Sequence, residues 1–349
     1  MIKIVIDAMG GDYAPEEQVK GAIEALNKDK DFAVVLAGDE EKLKAELAKY
    51  EFDPSRVEIV HAPDVITGDD VPTKAVREKK NSSTVAAFRV LKEGGADGLV
   101  SSGATGAVLA AGIMVLGRIK GISRPALCPA IPNLRGDQTL LCDCGANLEC
   151  KSINLAHFAI MATAYAQAVY GIEKPKVGLL NNGTEDHKGD LVHQEANALL
   201  KTMDCIDYYG NVEGRDIMLN TDIDIVVADG YTGNIALKAV EGCAKTMGNL
   251  MKKAFTKNLF TKLRSALVYD VIKGFKSSMD YEIMGGSMFL GLKKAVVKGH
   301  GNSKARGFCA CVLQAVNAVR GNMVEKISEM LEKIDAASIA PPASSEEEK

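Results

Sequence analysis

The sequence predicts an alternating α/β fold, with a largely parallel sheet covered by helices on both faces. Apolar, strand-like runs alternate with helical patterns from end to end, which is the order that builds parallel sheets through right-handed crossovers. Glycine-bearing turns also follow several of these runs, where such sheets bind ligands. With 349 residues, 47% of them hydrophobic, the chain can bury one large core or two ordinary ones, at about 150 residues per domain. It therefore needs no disulfide or metal to fold.

The elements follow in order. "IKIVI" (2–6) precedes "PEEQVKGAIEALNK" (15–28), whose Val19, Ile23 and Leu26 recur at helical spacing and whose Pro15 suits a first helical turn. "FAVVLAG" (32–38) precedes "DEEKLKAELAKY" (39–50), and "ADGLVSSG" (96–103) precedes "ATGAVLAAGIMVLG" (104–117). Later, "KVGLLNNG" (176–183) leads into "GDLVHQEANALLKTM" (189–203), and "IDIVVADG" (223–230) into "TGNIALKAVEGCAKTMGNLM" (232–251). "QTLLCDCGAN" (138–147) alternates as a strand does.

The turns "DAMGGD", "SSGATGA", "CDCGAN", "NNGTEDHKG" and "ADGYTGN" are predicted to share one crevice at the carboxyl ends of the strands. Glycine permits close backbone approach, and a following helix offers unpaired amides to an anion, so phosphate or carboxylate is the expected ligand. Two turns are alike: "GATGAVLAA" from Gly103 and "GYTGNIALK" from Gly230 each place a threonine between glycines at the mouth of a helix. That threonine either caps the helix or aims its hydroxyl at the anion. Neither the dinucleotide fingerprint G-x-G-x-x-G nor a Walker motif occurs. Cys142, Cys144 and Cys150, with Cys309 and Cys311, lack the two-residue gap of a zinc knuckle and are expected to pack as small hydrophobes, so no metal is predicted.

"DAMGGDYAP" resembles the N-terminal signature of bacterial phosphate acyltransferases of the PlsX type. "VREKKNSS", "GRIKGISRPAL", "GTEDHKG", "GNVEGRD", "DGYTGN" and "HGNS" resemble further landmarks of that family, in order, from residue 2 to about 325. The resemblance implies a three-layer α/β/α fold related to isocitrate and isopropylmalate dehydrogenases. It also implies a homodimer, peripheral attachment to the cytoplasmic membrane, and synthesis of acyl phosphate from acyl carrier protein thioesters and inorganic phosphate. No cofactor is called for.

Direct attack of phosphate on the thioester needs a cradle for the dianion and a donor for the developing oxyanion, and no acyl-enzyme cysteine. Lys188, in the loop "GTEDHKGD", and Asn234, after Gly233, match the positions that the resemblance implies are catalytic. The residue types suit those tasks: an ammonium can hold phosphate, and a side-chain amide can donate to a thioester oxygen or cap a helix. Asp7, Gly10, Gly11, Asp12, Gly103, Thr105, Gly106, Gly183, Thr184, Asp229, Gly230 and Thr232 are expected to line the same crevice. Ala104 departs from the family, which more often carries asparagine there, and leaves the anion to backbone amides and Thr105. His187 is taken as a bystander.

The stretch 251–276 repeats Phe255, Leu259, Leu263, Leu267 and Val271 every four residues. Lys252, Lys253, Lys257, Lys262, Arg264, Lys273 and Lys276 accompany them against Asp270 alone. This basic amphipathic insertion, at about 250–280, suits an anionic bilayer surface or a partner helix. Phe255, Leu259, Leu263 and Leu267 are its expected membrane contacts. Lys74 to Lys80 and Lys293 to Lys298 are candidate docking surfaces for the acidic carrier protein. Residues 1–335 are read as one catalytic domain, and the proline-, serine- and glutamate-rich 336–349 as a disordered tail.

The net charge of -4 argues against a general nucleic-acid binder. No apolar stretch approaches the roughly 20 residues that span a bilayer, and the N-terminus enters its first strand without a secretory leader, so a cytoplasmic protein is expected. A short-chain phosphotransacetylase, a dehydrogenase of the same fold, and a non-catalytic membrane scaffold for lipid synthesis are the alternatives.

Overall fold

The computed structural model describes residues 1–258, 260–261, 274 and 285–332. Its strands are β1 (Ile2–Asp7), β2 (Phe32–Gly38), β3 (Val57–His61), β4 (Gly98–Ser101), β5 (Ala126–Cys128), β6 (Ala130–Pro132), β7 (Gln138–Cys142), β8 (Lys176–Leu180), β9 (Asp207–Val212), β10 (Ile225–Val227), β11 (Ser287–Leu290) and β12 (Ala295–Lys298). Its helices are α1 (Glu16–Lys28), α2 (Glu40–Leu47), α3 (Pro72–Glu78), α4 (Ser83–Lys92), α5 (Thr105–Ala111), α6 (Ser152–Tyr170), α7 (Leu191–Lys201), α8 (Asp216–Leu219), α9 (Gly230–Phe255), α10 (Ala305–Arg320) and α11 (Met323–Glu332). All the strand and helix segments quoted from the sequence form as such. Among the described residues no helix is long and apolar enough to cross a membrane.

The expected largely parallel sheet is present as two sheets. The first has seven strands in the order β3-β2-β1-β4-β12-β11-β5, and the second has five in the order β6-β7-β10-β8-β9. Among the described strands the antiparallel pairs are β11 with β12 and with β5 in the first sheet, and β6 with β7 in the second. The central strands are apolar on both faces. Ile4, Ile6 and Leu36 point into one buried cluster, while Val5, Val35 and Leu99 point into another on the opposite side. That arrangement is why these strands read as continuous apolar runs.

The first of these clusters continues through α6 into Leu140, Val177 and Ile225 of the second sheet. α6 is therefore a wall shared by both sheets and is buried nearly all round. Its Tyr165 is wholly enclosed, with its hydroxyl 2.6 Å from the Gln314 amide nitrogen that donates to it. Cys142 and Cys144 lie in the core as free thiols, in keeping with the packing role expected of them.

Candidate active site

The five glycine turns divide between the sheets. Those after β1 and β4 belong to the first, and those after β7, β8 and β10 to the second. Every one lies at the carboxyl end of a parallel strand, and β1 is hydrogen-bonded to β4 while β10 lies between β7 and β8.

On the first sheet, Asp7, Ser101 and Lys298 are register partners at the ends of three adjacent strands. Asp7 is 0% exposed. Its Oδ2 accepts hydrogen bonds from Thr84 Oγ1 at 2.8 Å and Ser101 Oγ at 2.7 Å, and Ser101 Oγ accepts the amide of Gly103 at 3.1 Å. The carboxylate thus shapes the turn from beneath. Gly10 has to be glycine, because a Cβ there would lie 2.8 Å from both Asp7 Oδ2 and the Gly103 nitrogen. Gly11, Asp12, Ser102, Gly103, Thr105 and Lys298 line a cleft of about 390 Å³ above these strand ends.

On the second sheet the organiser is Asp143, also 0% exposed. Its Oδ1 accepts the amides of Leu127 at 2.8 Å and Ala146 at 3.1 Å, and its Oδ2 accepts the amide and side-chain nitrogen of Asn147 at 2.8 and 2.9 Å. Burial pushes the acid's pKa up against these bonds, which pull it down. α9 starts directly against this turn. A Cβ on Gly230 would lie 2.4 Å from the Asn147 carbonyl oxygen, and one on Gly233 would lie 1.9 Å from that of Asp143. Glycine at both positions lets the first turn of α9 touch the β7 turn. Asn234, the next residue and exposed, is then carried to Gly145, where its Cγ is 3.5 Å from the position of a Cβ.

Neither threonine caps its helix. The cap of α9 is Asp229, which accepts the Thr232 amide at 2.9 Å. The cap of α5 is Ala104, which has no side-chain acceptor, so the residue that departs from the family pattern costs this helix its cap. Asn234 likewise lies past the cap, and the hydroxyls of Thr105 and Thr232 and the Asn234 amide are left for other partners.

The Lys188 loop is fixed by side chains that bond its backbone. Asn181 Nδ2 donates to the Lys188 carbonyl at 3.1 Å, Asn182 Oδ1 accepts the Gly189 amide at 3.0 Å, and Asn211 Nδ2 donates to the Glu185 carbonyl at 2.9 Å. Gly183 leaves room for the lysine stem, since a Cβ would lie 2.9 Å from Lys188 Cγ. Among the described residues the ammonium has only Glu185 at 3.9 Å, an exposed pairing that does little to hold it. His193 on α7 joins this loop to the α9 turn, with Nδ1 2.7 Å from Asp190 Oδ1 and Nε2 3.8 Å from Asp229 Oδ2.

Comparison with known proteins agrees with this architecture. A family model described as "Fatty acid synthesis protein" matches residues 2–326. A "Phosphate acyltransferase" of Clostridioides difficile is 43% identical over 332 residues, spanning 95% of this chain and 97% of the relative. The chain belongs to this phosphate acyltransferase family. Among solved structures, a phosphotransacetylase of Streptococcus pyogenes matches with a TM-score of 0.63 at 17% identity, covering 91% of this chain and 94% of that one. A 4-hydroxythreonine-4-phosphate dehydrogenase of Klebsiella pneumoniae matches with a TM-score of 0.55 at 13% identity, over 91% and 99%. The two structures share the fold.

Of the residues expected in the crevice, Gly183, Thr184, Lys188, Asp229, Gly230, Thr232 and Asn234 fall on the neighbouring β8 and β10 turns. Gly11, Asp12, Gly103 and Thr105 line the first-sheet cleft, with Gly106 packed on Pro72 behind it. Asp7 and Gly10 lie beneath the surface, and the Gly103 amide is already taken by Ser101. Lys298, expected on a docking surface, is instead buried at the end of β12. Phe255 closes α9. Leu259, Leu263 and Leu267, with the tail 336–349, lie outside the described residues. Asp143, His193 and Lys298 went unremarked as site residues. Their shared signal is a polar residue ending an apolar strand, or lying one helical turn beyond a glycine loop.

Replacing Gly233 by alanine drives a methyl group into the Asp143 carbonyl, so α9 has to retreat and carry Asn234 with it. Turnover on acyl thioester and phosphate is expected to fall about 100-fold, as for displacements near 1 Å. Steady-state kinetics and a melting curve on the same Gly233→Ala sample check this. Near wild-type turnover would show that the helix start does not set the site.

Proposed function

We propose that this chain transfers an acyl group from an acyl carrier protein thioester to inorganic phosphate by direct attack, without an acyl-enzyme. The arrangement that carries this reading is the pairing of a fixed but weakly partnered Lys188 loop with the Asn234 turn on adjacent strands of the second sheet. The family to which the chain belongs supports acyl-phosphate formation in lipid synthesis.

The chemistry asks little covalent help from the protein. An oxygen of hydrogen phosphate attacks the carbonyl carbon, the carbon–sulfur bond breaks, and the leaving thiolate takes up the proton that the phosphate gives up. Lys188 holds the dianion against the carbonyl, and the Asn234 amide donates to the oxyanion as charge develops. The cysteines nearest the crevice are poor nucleophiles. Burial pushes the Cys142 and Cys144 thiols well up and holds Cys150 at about 11, whereas the reactive form is the thiolate.

The working form we propose is a homodimer on an anionic bilayer surface. Ile235, Met247 and Leu250 are 53%, 47% and 56% exposed along α9, an apolar stripe suited to a second copy. Lys252 and Lys253 sit in the last turn of that helix and Lys257 just beyond it, where the basic amphipathic segment begins. A surface of this kind suits a greasy, hydrolysable product that is consumed at the membrane.

Lys188→Ala and Asn234→Ala are each expected to lower turnover about 100-fold or more with the fold retained, in line with loss of a transition-state donor. The assay is palmitoyl carrier protein with phosphate, reading acyl phosphate and free carrier thiol. A folded variant at wild-type rate would remove that residue from the mechanism. Anionic vesicles are expected to sediment the protein, with release as salt rises, because each basic group near such a surface contributes about 1 kcal/mol. Equal binding to neutral vesicles would contradict the electrostatic part of this reading.

A further inference from the structure

Lys298 is only 8% exposed, although lysines are almost never fully buried without a partner. It ends β12 beside Ser101, lines the first-sheet cleft, and among the described residues its ammonium has one hydrogen-bond acceptor, the carbonyl of Gly299 next to it in the chain. An ammonium carries three donors, so two point elsewhere. Ser102, 2% exposed and lining the same cleft, has an Oγ with no hydrogen-bond partner. Buried polar groups normally have one. An ammonium with one acceptor and a hydroxyl with none therefore line the same cleft.

We infer that Lys298, with Ser102, binds the oxygens of the inorganic phosphate nucleophile that do not attack, from the first-sheet side of the crevice. This rests on the phosphate acyltransfer reading given above and adds the residues that hold the nucleophile. The charges around Lys298 fit an anion that arrives and leaves. Burial pulls its pKa down to about 8, Cys311 on α10 and Asp7 and Asp12 beside β1 push it up, and Lys238 on α9 pulls it further down. Bound phosphate adds counter-charge to that of Asp7 and Asp12 and offsets the cost of burying the ammonium.

Lys238 lies one helical turn beyond Asn234, on the same face of α9. Its charge, with that of Glu241, also acts on half-buried His300 in the turn after Lys298. α9, which carries Asn234, thus also reaches the charge environment of Lys298.

The test uses the full chain, with Lys298→Met to keep the stem and remove the charge. Wild-type protein is expected to melt at higher temperature as inorganic phosphate is added, since a ligand of the native state stabilises it, and Lys298→Met is expected to lose that shift. In steady state the variant should raise the KM for phosphate about 10-fold or more, as for loss of a charged hydrogen bond. The KM for acyl carrier protein thioester should stay within about 2-fold, a split that general damage to the fold does not produce. An unchanged phosphate KM with acyl phosphate still formed overturns the role of Lys298 and leaves the acyltransfer reading standing. Phosphate protection lost in the variant, in a protein that makes no acyl phosphate, overturns the acyltransfer reading and leaves the phosphate site. If Lys298→Met does not fold, Ser102→Ala removes only the unpartnered oxygen. It should raise the phosphate KM several-fold, and an unchanged value overturns the inference.

Discussion

A buried carboxylate, without an ion-pair partner among the described residues, joins the two sheets. Asp143 directly follows β7 of the second sheet, yet one of its oxygens accepts the amide of Leu127 in a strand of the first. The remaining bonds come from its own turn. A lone buried charge is costly unless donors replace its water, and here four N–H groups do so. The same turn packs against Gly230 and Gly233, so the position of α9, and with it Asn234, depends on how Asp143 is satisfied. Asp7 does the equivalent work on the first sheet with hydroxyl donors. In both halves the acids that end apolar strands shape glycine turns from below, and the groups free to meet a ligand sit on top.

That division accounts for what the strand-end turns offer. Their cations have weak partners or one backbone carbonyl, their threonines are released from capping by Asp229 and Ala104, and the thiols of Cys142 and Cys144 are buried and that of Cys150 half-buried. A site of this composition holds and polarises, and leaves bond making to the substrates. On the proposed direct route, where phosphate itself is the nucleophile, positioning two substrates and stabilising an oxyanion would supply the acceleration.

Much of this was legible in the sequence because buried parallel strands and amphipathic helices impose distinct periods. "IKIVI" and "FAVVLAG" are apolar on both faces, and Val19, Ile23 and Leu26 mark the buried side of α1. α6 carried no such signal, because a helix enclosed on every side has no polar face to set a period. The division into two sheets was hidden as well, since the alternation of strand and helix does not record which strand ends meet. The sequence left open whether each threonine caps its helix; neither does, because the cap position falls on Asp229 or Ala104, one to three positions earlier. Lys298 was misplaced because a lysine after an apolar run reads as the wet end of a strand, whereas β12 is a central strand flanked by β4 and β11.

Direct transfer is the central claim, and it is tested most directly by rapid mixing of the enzyme with acyl carrier protein thioester before phosphate is added. The geometry predicts no release of carrier thiol and no acyl adduct on the protein by mass spectrometry until phosphate enters, after which thiol and acyl phosphate appear together. One equivalent of thiol released without phosphate, with an acyl group left on any cysteine, would contradict it.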